Sequence, residues 1–201
     1  MPRRAGPGVQ PRHESILTPG AVAQAPFGIS LPGGVGQGWD GAVTGEEQSE
    51  AWRGKIGSLE REELDAFLRE GHLMRLACVG DDGWPYVIPC WHEWDGGAWW
   101  VIPRQRSVWA GYLEREPKCA VTVDETGRQR RVIARCLAEL VERPNVNGRW
   151  VSIAERMSVR YLGEHGPSYL VPTLDKPRWL FRLHPVQLRT WQGVGWAPRY
   201  G

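Results

Sequence analysis

Strong net charge is missing from this chain. Its 201 residues carry 25 Lys and Arg against 23 Asp and Glu, a formal charge of +2. That balance excludes the basic footprint of a dedicated nucleic-acid binder, so no nucleic-acid partner is expected. No stretch approaches eighteen consecutive apolar residues, so no transmembrane helix and no membrane partner are expected. Arg3 and Arg4 have no apolar core behind them, which argues against a secretory signal. Cysteine is scarce: Cys78, Cys90, Cys119 and Cys136 are separated by 12, 29 and 17 residues. With no C-x-x-C pair, neither a zinc ribbon nor a thioredoxin-like motif is available, and no metal site is expected. Each cysteine lies in an apolar run, which reads as a reduced, buried thiol and a cytoplasmic setting. H-E-x-x-H, G-x-S-x-G and paired-carboxylate spacings are also lacking, so hydrolase chemistry has no support. The Gly-rich 32–38 (PGGVGQG) lacks a strand before it and a Lys-Ser/Thr after it, so it is no P-loop.

Glycine, proline and tryptophan are abundant, at 25, 16 and 12 residues. The first fifty residues hold 10 Gly and 6 Pro and no sustained hydrophobic period. Such a segment cannot bury enough apolar area to offset the entropy of ordering it. Residues 1–55 therefore read as a flexible arm, and 56–201 as the folded domain.

Within that domain, Ser58 is a candidate N-cap. Leu64, Phe67 and Leu68 then give a buried stripe, and Gly71 a stop, which predicts a helix over 59–70. Strand-like runs follow: 73–79, closed by Gly80-Asp81-Asp82-Gly83; 85–93, an edge or bulged strand because of Pro89; and 98–102. Ser107 can cap a short helix ended by Pro117. Strands over 118–123 and 129–141 come next, then a helix from Arg149 carrying Trp150, Ile153, Met157 and Leu162 on one face. After a loop over 163–177, Arg178–His184 reads as a sixth strand, with Val186–Trp191 a candidate extension of the sheet. The sum is a mostly β domain, a small antiparallel barrel with three helices.

The order of these elements carries a resemblance. Gly71-His72-Leu73-Met74-Arg75-Leu76, Asp82-Gly83-Trp84-Pro85 through Pro89, and the Trp91…Asp95-Gly96-Gly97 hairpin occur in sequence. Arg106-Ser107, Glu116-Pro117, Arg135…Ala138-Glu139-Leu140-Val141 and Pro185…Thr190-Trp191 complete the set. Together they resemble the FMN-binding split-barrel superfamily that includes pyridoxamine 5′-phosphate oxidase. The resemblance implies a six-stranded antiparallel split barrel forming a homodimer, with flavin or deazaflavin at the subunit interface. It also implies an oxidoreductase moving a hydride between cofactor and a small organic molecule. Within the same superfamily the alternatives are a non-catalytic flavin- or heme-binding carrier, or a barrel that has lost its cofactor.

A flavin mononucleotide site needs anion donors for its phosphate and apolar walls for its ring. Arg104, Arg106 and Ser107, leading into a helix, are the candidate phosphate donors; solvated loop arginines and an ordinary N-cap are the plain alternative. Many members of the superfamily have a Lys where this chain has Trp109, which weakens that phosphate site or shifts it toward another cofactor. Val87, Ile88, Pro89, Cys90 and Trp91 lie on the strand that in this superfamily runs along the flavin ring. Trp91 serves equally well as a wall or as core. Trp191 and Trp196 are candidates for covering a ring from the partner subunit. The cofactor implied is FMN, with the deazaflavin coenzyme F420 or, less favoured, heme as alternatives, and no catalytic residue stands out. An axial heme ligand would fall to His165 or His184, and His92 reads as a surface histidine. Arg128-Gln129-Arg130-Arg131 reads as a solvated hairpin tip, or as a patch for an anionic cofactor tail. Arg182-Leu183-His184-Pro185 superficially fits the substrate-phosphate signature of the oxidase itself. It is followed by another strand, so that activity is not expected.

Overall fold

The computed structural model describes residues 55–193; the expected N-terminal arm, apart from its last residue, and Trp196 lie outside them. Helix α1 (Arg61–Leu68) buries Leu64, Phe67 and Leu68, as their spacing predicts. Its first turn is closed by Glu63, whose carboxylate accepts the Glu60 N–H at 2.8 Å, so Glu60 and not Ser58 holds the cap position.

Seven strands follow: β1 (Met74–Val79), β2 (Pro85–Cys90), β3 (Glu93–Trp94), β4 (Trp99–Val101), β5 (Lys118–Asp124), β6 (Arg131–Asn145) and β7 (Arg178–Trp191). Helix α2 (Val108–Arg115) lies between β4 and β5, and α3 (Trp150–Leu162) between β6 and β7. The strands form one antiparallel sheet in the order β2-β1-β5-β6-β7-β4-β3. Its two edge strands, β2 and β3, are only two residues apart in sequence. Three Cα steps span at most about 11 Å, whereas a flat sheet of this order would separate its edges by roughly 29 Å. The sheet must therefore curl until its edges nearly meet without pairing, which makes a split barrel.

Seven strands replace the expected six because the 85–93 run breaks at Trp91-His92. There the chain leaves β1 and re-enters the sheet beside β4. The expected strand over 178–184 and its extension are one strand of 14 residues. It tolerates Pro185 because Pro185 sits at a bulge: Cys136 faces Pro185 while Arg135 faces Gln187.

One face of the curled sheet buries Leu76, Val121, Val123, Val132, Ala134, Phe181 and Leu183 against α1 and α2. A second cluster gathers Trp150, Ile153, Met157, Leu170 and Leu180 around α3. The other face of the sheet stays open and carries Val87, Ile133 and Leu137, at 60, 54 and 44% exposure.

The 163–177 segment, expected as a loop, is largely helical. Short 3₁₀ turns at Gly163–His165 and Val171–Thr173 flank α4 (Gly166–Leu170). Gly166 makes this possible, since a Cβ there would lie 2.5 Å from the Ser158 carbonyl carbon of α3. His92 corrects another expectation: it is fully buried, beneath Tyr161 of α3, not on the surface.

Candidate functional site

A cleft of about 390 Å3 opens where the end of β2 meets α3, α4 and the start of α2. Ile88, Pro89, Cys90 and Trp91 line it. The Trp91 indole is held by stacking on Tyr161, with ring centres 4.9 Å apart and planes 2° from parallel. Tyr169 of α4 packs against Trp91 at 5.4 Å and also faces the cleft. Trp109 of α2 and Met157 of α3 also line it. These surfaces suit a flat, largely apolar ring.

The far end of the cleft is cationic. Arg104, Ser107 and Arg178 line it. Ser107 is the N-cap of α2, yet its hydroxyl makes no capping bond, so the hydroxyl and the Val108 and Trp109 N–H groups remain open to an anion. Arg178 enters the sheet opposite Arg104 through a bridge between the two backbones. One of its terminal nitrogens donates to Thr173 Oγ1 at 2.7 Å. Its Nε is buried with no partner among the described residues. Burial and then the neighbouring Arg104 charge pull the Arg178 guanidinium below its usual pKa range. A pair of like charges beside an unused helix start is the arrangement an anionic substituent would complete.

Among the expected site residues, Ile88, Pro89, Cys90, Trp91, Arg104, Ser107 and Trp109 converge on this cleft. The remaining three do not line it. Val87 is exposed and paired with Ala77, so strand alternation turns it onto the open sheet face. Arg106 lines a neighbouring cavity. Trp191 lies at the far end of β7, opposite Arg131, with its indole N–H donating to the Gly193 carbonyl at 3.3 Å. Residues absent from the expectation but present at the cleft include Met157, Tyr169 and Arg178. Met157 could have been placed from the helical stripe it shares with Ile153, whereas Tyr169 and Arg178 gave no local signal.

Thiolate chemistry at Cys90 is not available here at neutral pH. Burial pushes the Cys90 thiol up to about 12. The Tyr161 phenol is likewise raised to about 12 by burial; it donates to the His72 carbonyl at 2.9 Å. No histidine lines the cleft. His184 pairs with Glu139 at 2.7 Å on the open face of the sheet, and His165 ends a 3₁₀ turn. Arg182, in the string that superficially fits the oxidase signature, is engaged by Asp95 at 2.8 Å. Among the described residues, no group of three metal-ligating side chains occurs, and no helix is long and apolar enough to cross a membrane.

Comparison with known proteins agrees with this architecture. Solved structures that match include a conserved hypothetical protein, Rv2991, from Mycobacterium tuberculosis, at 19% identity and a TM-score of 0.56, covering 74% of this chain and 98% of that one. An F420 reductase matches at 21% identity and a TM-score of 0.50, over 62% of this chain and 94% of its own. HutZ, the heme storage protein of Vibrio cholerae, matches at 23% identity and a TM-score of 0.50, over 69% and 98%. At these identities the likeness is one of fold. No curated protein matches. Residues 61–192 match the family model for pyridoxamine 5′-phosphate oxidase, and the chain belongs to that family.

Proposed function

We propose that this protein is a flavin- or deazaflavin-dependent oxidoreductase that binds its cofactor in the cleft between Trp91, Tyr169 and Trp109. The observation that carries the reading is the joining of aromatic walls to an unsatisfied cationic end at Arg104, Ser107 and Arg178. A planar ring with a phosphate-bearing side chain needs both halves, and a purely apolar ligand needs only the first. When bound, FMN or F420 supplies the hydride-transfer chemistry. The chain's own residues hold the ring, fix the phosphate and keep water from one face. With Cys90 and Tyr161 protonated, these two groups donate no base, which suits a reaction whose electrons move through the cofactor. Trp109 gives the ring a wall and leaves the phosphate to the two arginines.

The open face of the sheet, with Val87, Ile133 and Leu137 exposed, is the surface we assign to a homodimer. In that dimer Trp191 of one protomer would cover the cleft of its partner. A carrier that stores flavin without turnover shares every feature of the cleft and separates from the oxidoreductase only at turnover. Heme is less favoured because an axial imidazole would have to come from outside the cleft lining.

The test is a titration of purified protein with FMN, F420 and heme, followed by visible absorption and fluorescence. Tight binding of FMN or F420 is expected, with Arg104→Ala weakening it by about 1.5–3 kcal/mol, the scale of a hydrogen bond to a charged group. Reduction of the bound ring by a nicotinamide or substrate donor would then separate enzyme from carrier. A Soret band with no flavin binding would overturn the reading.

A further inference from the structure

Immediately beside the cleft lies a second cavity of about 440 Å3, and it shares Arg104 and Arg178 with the first. Its other charged lining residues are Arg106 and Lys176, so four cations face one space with no carboxylate in its lining. Among the described residues, Arg104, Arg106 and Arg178 have no ion-pair partner; Lys176 contacts only the exposed Asp175, at 2.7 Å. Exposed cations are commonly solvated singly, but four sharing one concavity repel one another unless an anion joins them.

The walls are fixed by the backbone. The Gln105 N–H donates to the Pro177 carbonyl at 3.0 Å, and the Trp179 N–H to the Pro103 carbonyl at 3.0 Å, tying 103–105 to 177–179. Thr173 donates to the Leu170 carbonyl at 2.9 Å while accepting from Arg178, which anchors the 3₁₀ turn on the other side. The cavity is therefore held open by paired main chain, and its position is set relative to the cationic end of the cleft.

The geometry points to this cavity as a second anion subsite, taking a further negatively charged group that extends beyond the first phosphate of the ligand whose ring occupies the cleft. This rests on the ring-cofactor reading above and deepens it: the preferred ligand carries two or more separated anions, where FMN carries a single phosphate. The shared chemistry is a phosphate or carboxylate extension. Its two sources are a pyrophosphate, as in FAD, or a carboxylate tail, as in F420.

Dissociation constants are measured by fluorescence titration, at one ionic strength, for FMN, FAD, F420 and F420 stripped of its carboxylate tail. At least one two-anion ligand is expected to bind tenfold or more tightly than its single-anion counterpart. FAD against FMN reports the phosphate source, and F420 against its stripped form the carboxylate source. In Arg106→Ala/Lys176→Ala that margin falls to within about threefold, while FMN affinity changes less than twofold. A margin that survives in the variant overturns the inference, as does an equal loss for FMN, which would make the cavity the seat of the first phosphate. Inorganic pyrophosphate separates the two readings. If no ring ligand binds the wild type, the ring-cofactor reading fails. The cavity then stands as an anion site only if pyrophosphate binds the wild type and not the double variant, and falls if pyrophosphate does not bind.

Discussion

Two arginines in this domain sit against aromatic rings and meet opposite fates. Arg130 lies 4.5 Å from the Phe67 ring centre and donates both terminal nitrogens to Glu70 at 2.8 Å, with Nε reaching Glu125 at 3.1 Å. The Glu70 bonds lead in holding its guanidinium above its usual pKa. Arg178 lies 5.4 Å from the Trp150 ring centre, has a neutral hydroxyl and another arginine for company, and is pulled below its usual pKa. Burial alone does not separate them. The partners do: a charge that the chain satisfies itself is architecture, whereas a charge it leaves opposite a cavity is available to something else. The comparison also divides the Arg128–Arg131 patch. Its Arg130 is consumed in joining the β5–β6 turn to α1, so that residue cannot receive an anionic tail.

The largest effect should follow from breaking the satisfied member. Arg130→Ala leaves the nearly buried Glu125 without its cation and Glu70 with only His72, at a cost of about 3 kcal/mol. Urea denaturation should show a lower midpoint with an unchanged slope, and cofactor affinity should hold. A loss under about 1 kcal/mol would place Arg130 among ordinary solvated surface pairs and undo the contrast. The acid side follows with its sign. Arg130 bonds lower Glu70; burial raises Glu125, but the Arg130 and backbone bonds outweigh it and leave it lowered too. The stability these carboxylates contribute is present above the ordinary Glu value near 4.5 and is lost as pH falls through their lower folded values.

His92 sharpens the rule, because it is an orphan that lines neither the cleft nor the neighbouring cavity. Both its ring nitrogens are buried without partners among the described residues, facing Tyr161, Arg160 and His72. Burial first, then the Arg160 charge, pushes the imidazole down to about 3. Between pH 6.5 and 3 the unfolded chain binds a proton that the folded chain refuses, so stability falls as pH drops through that window. By pH 4.5 the loss should reach about 2–3 kcal/mol, at 1.36 kcal/mol per pH unit. It begins well above the range where the carboxylates titrate. In His92→Leu, stability measured by urea titration should stay flat from pH 8 to about 5. A wild-type profile already flat there would mean that His92 finds a partner in solution, and an orphaned nitrogen would lose its value as a sign.

Much of this was legible in the sequence, and the exceptions share a cause. Leu64, Phe67 and Leu68 announced α1, the 118–123 run read as the strand that is β5, and Ser107 marked the start of α2, because each signal is local. The 163–177 segment was read as loop because a five-residue helix and two three-residue turns, carrying Pro167 and Pro172, are too short to display a 3.6-residue period. That segment supplies Tyr169 to the cleft and Thr173 and Lys176 to the neighbouring cavity, so one of the four cations was hidden with it. Arg178 was equally silent: its role depends on pairing across the sheet with Arg104, 74 residues earlier. Val87 was misplaced although the strand was right, since period-two alternation sends Val87 and Ile88 to opposite faces.

The smallest effect on stability should come from the unsatisfied member, and its smallness is the point. Arg178→Met keeps the stem that packs beside Trp150 and removes a charge that lies near Arg104 and lacks a carboxylate partner. The hydrogen bond to Thr173 is lost, but Thr173 still donates to the Leu170 carbonyl, and repulsion with Arg104 is relieved. These changes oppose each other, so the urea midpoint should move by no more than about 0.5 kcal/mol, within the range of substitutions that break no network. FMN affinity should nonetheless fall by about tenfold, the equivalent of roughly 1.4 kcal/mol of lost charged contact. If instead stability dropped as it does for Arg130→Ala while binding held, Arg178 would be a structural residue, and an unpartnered guanidinium at a cavity would no longer distinguish a binding site from a packed one.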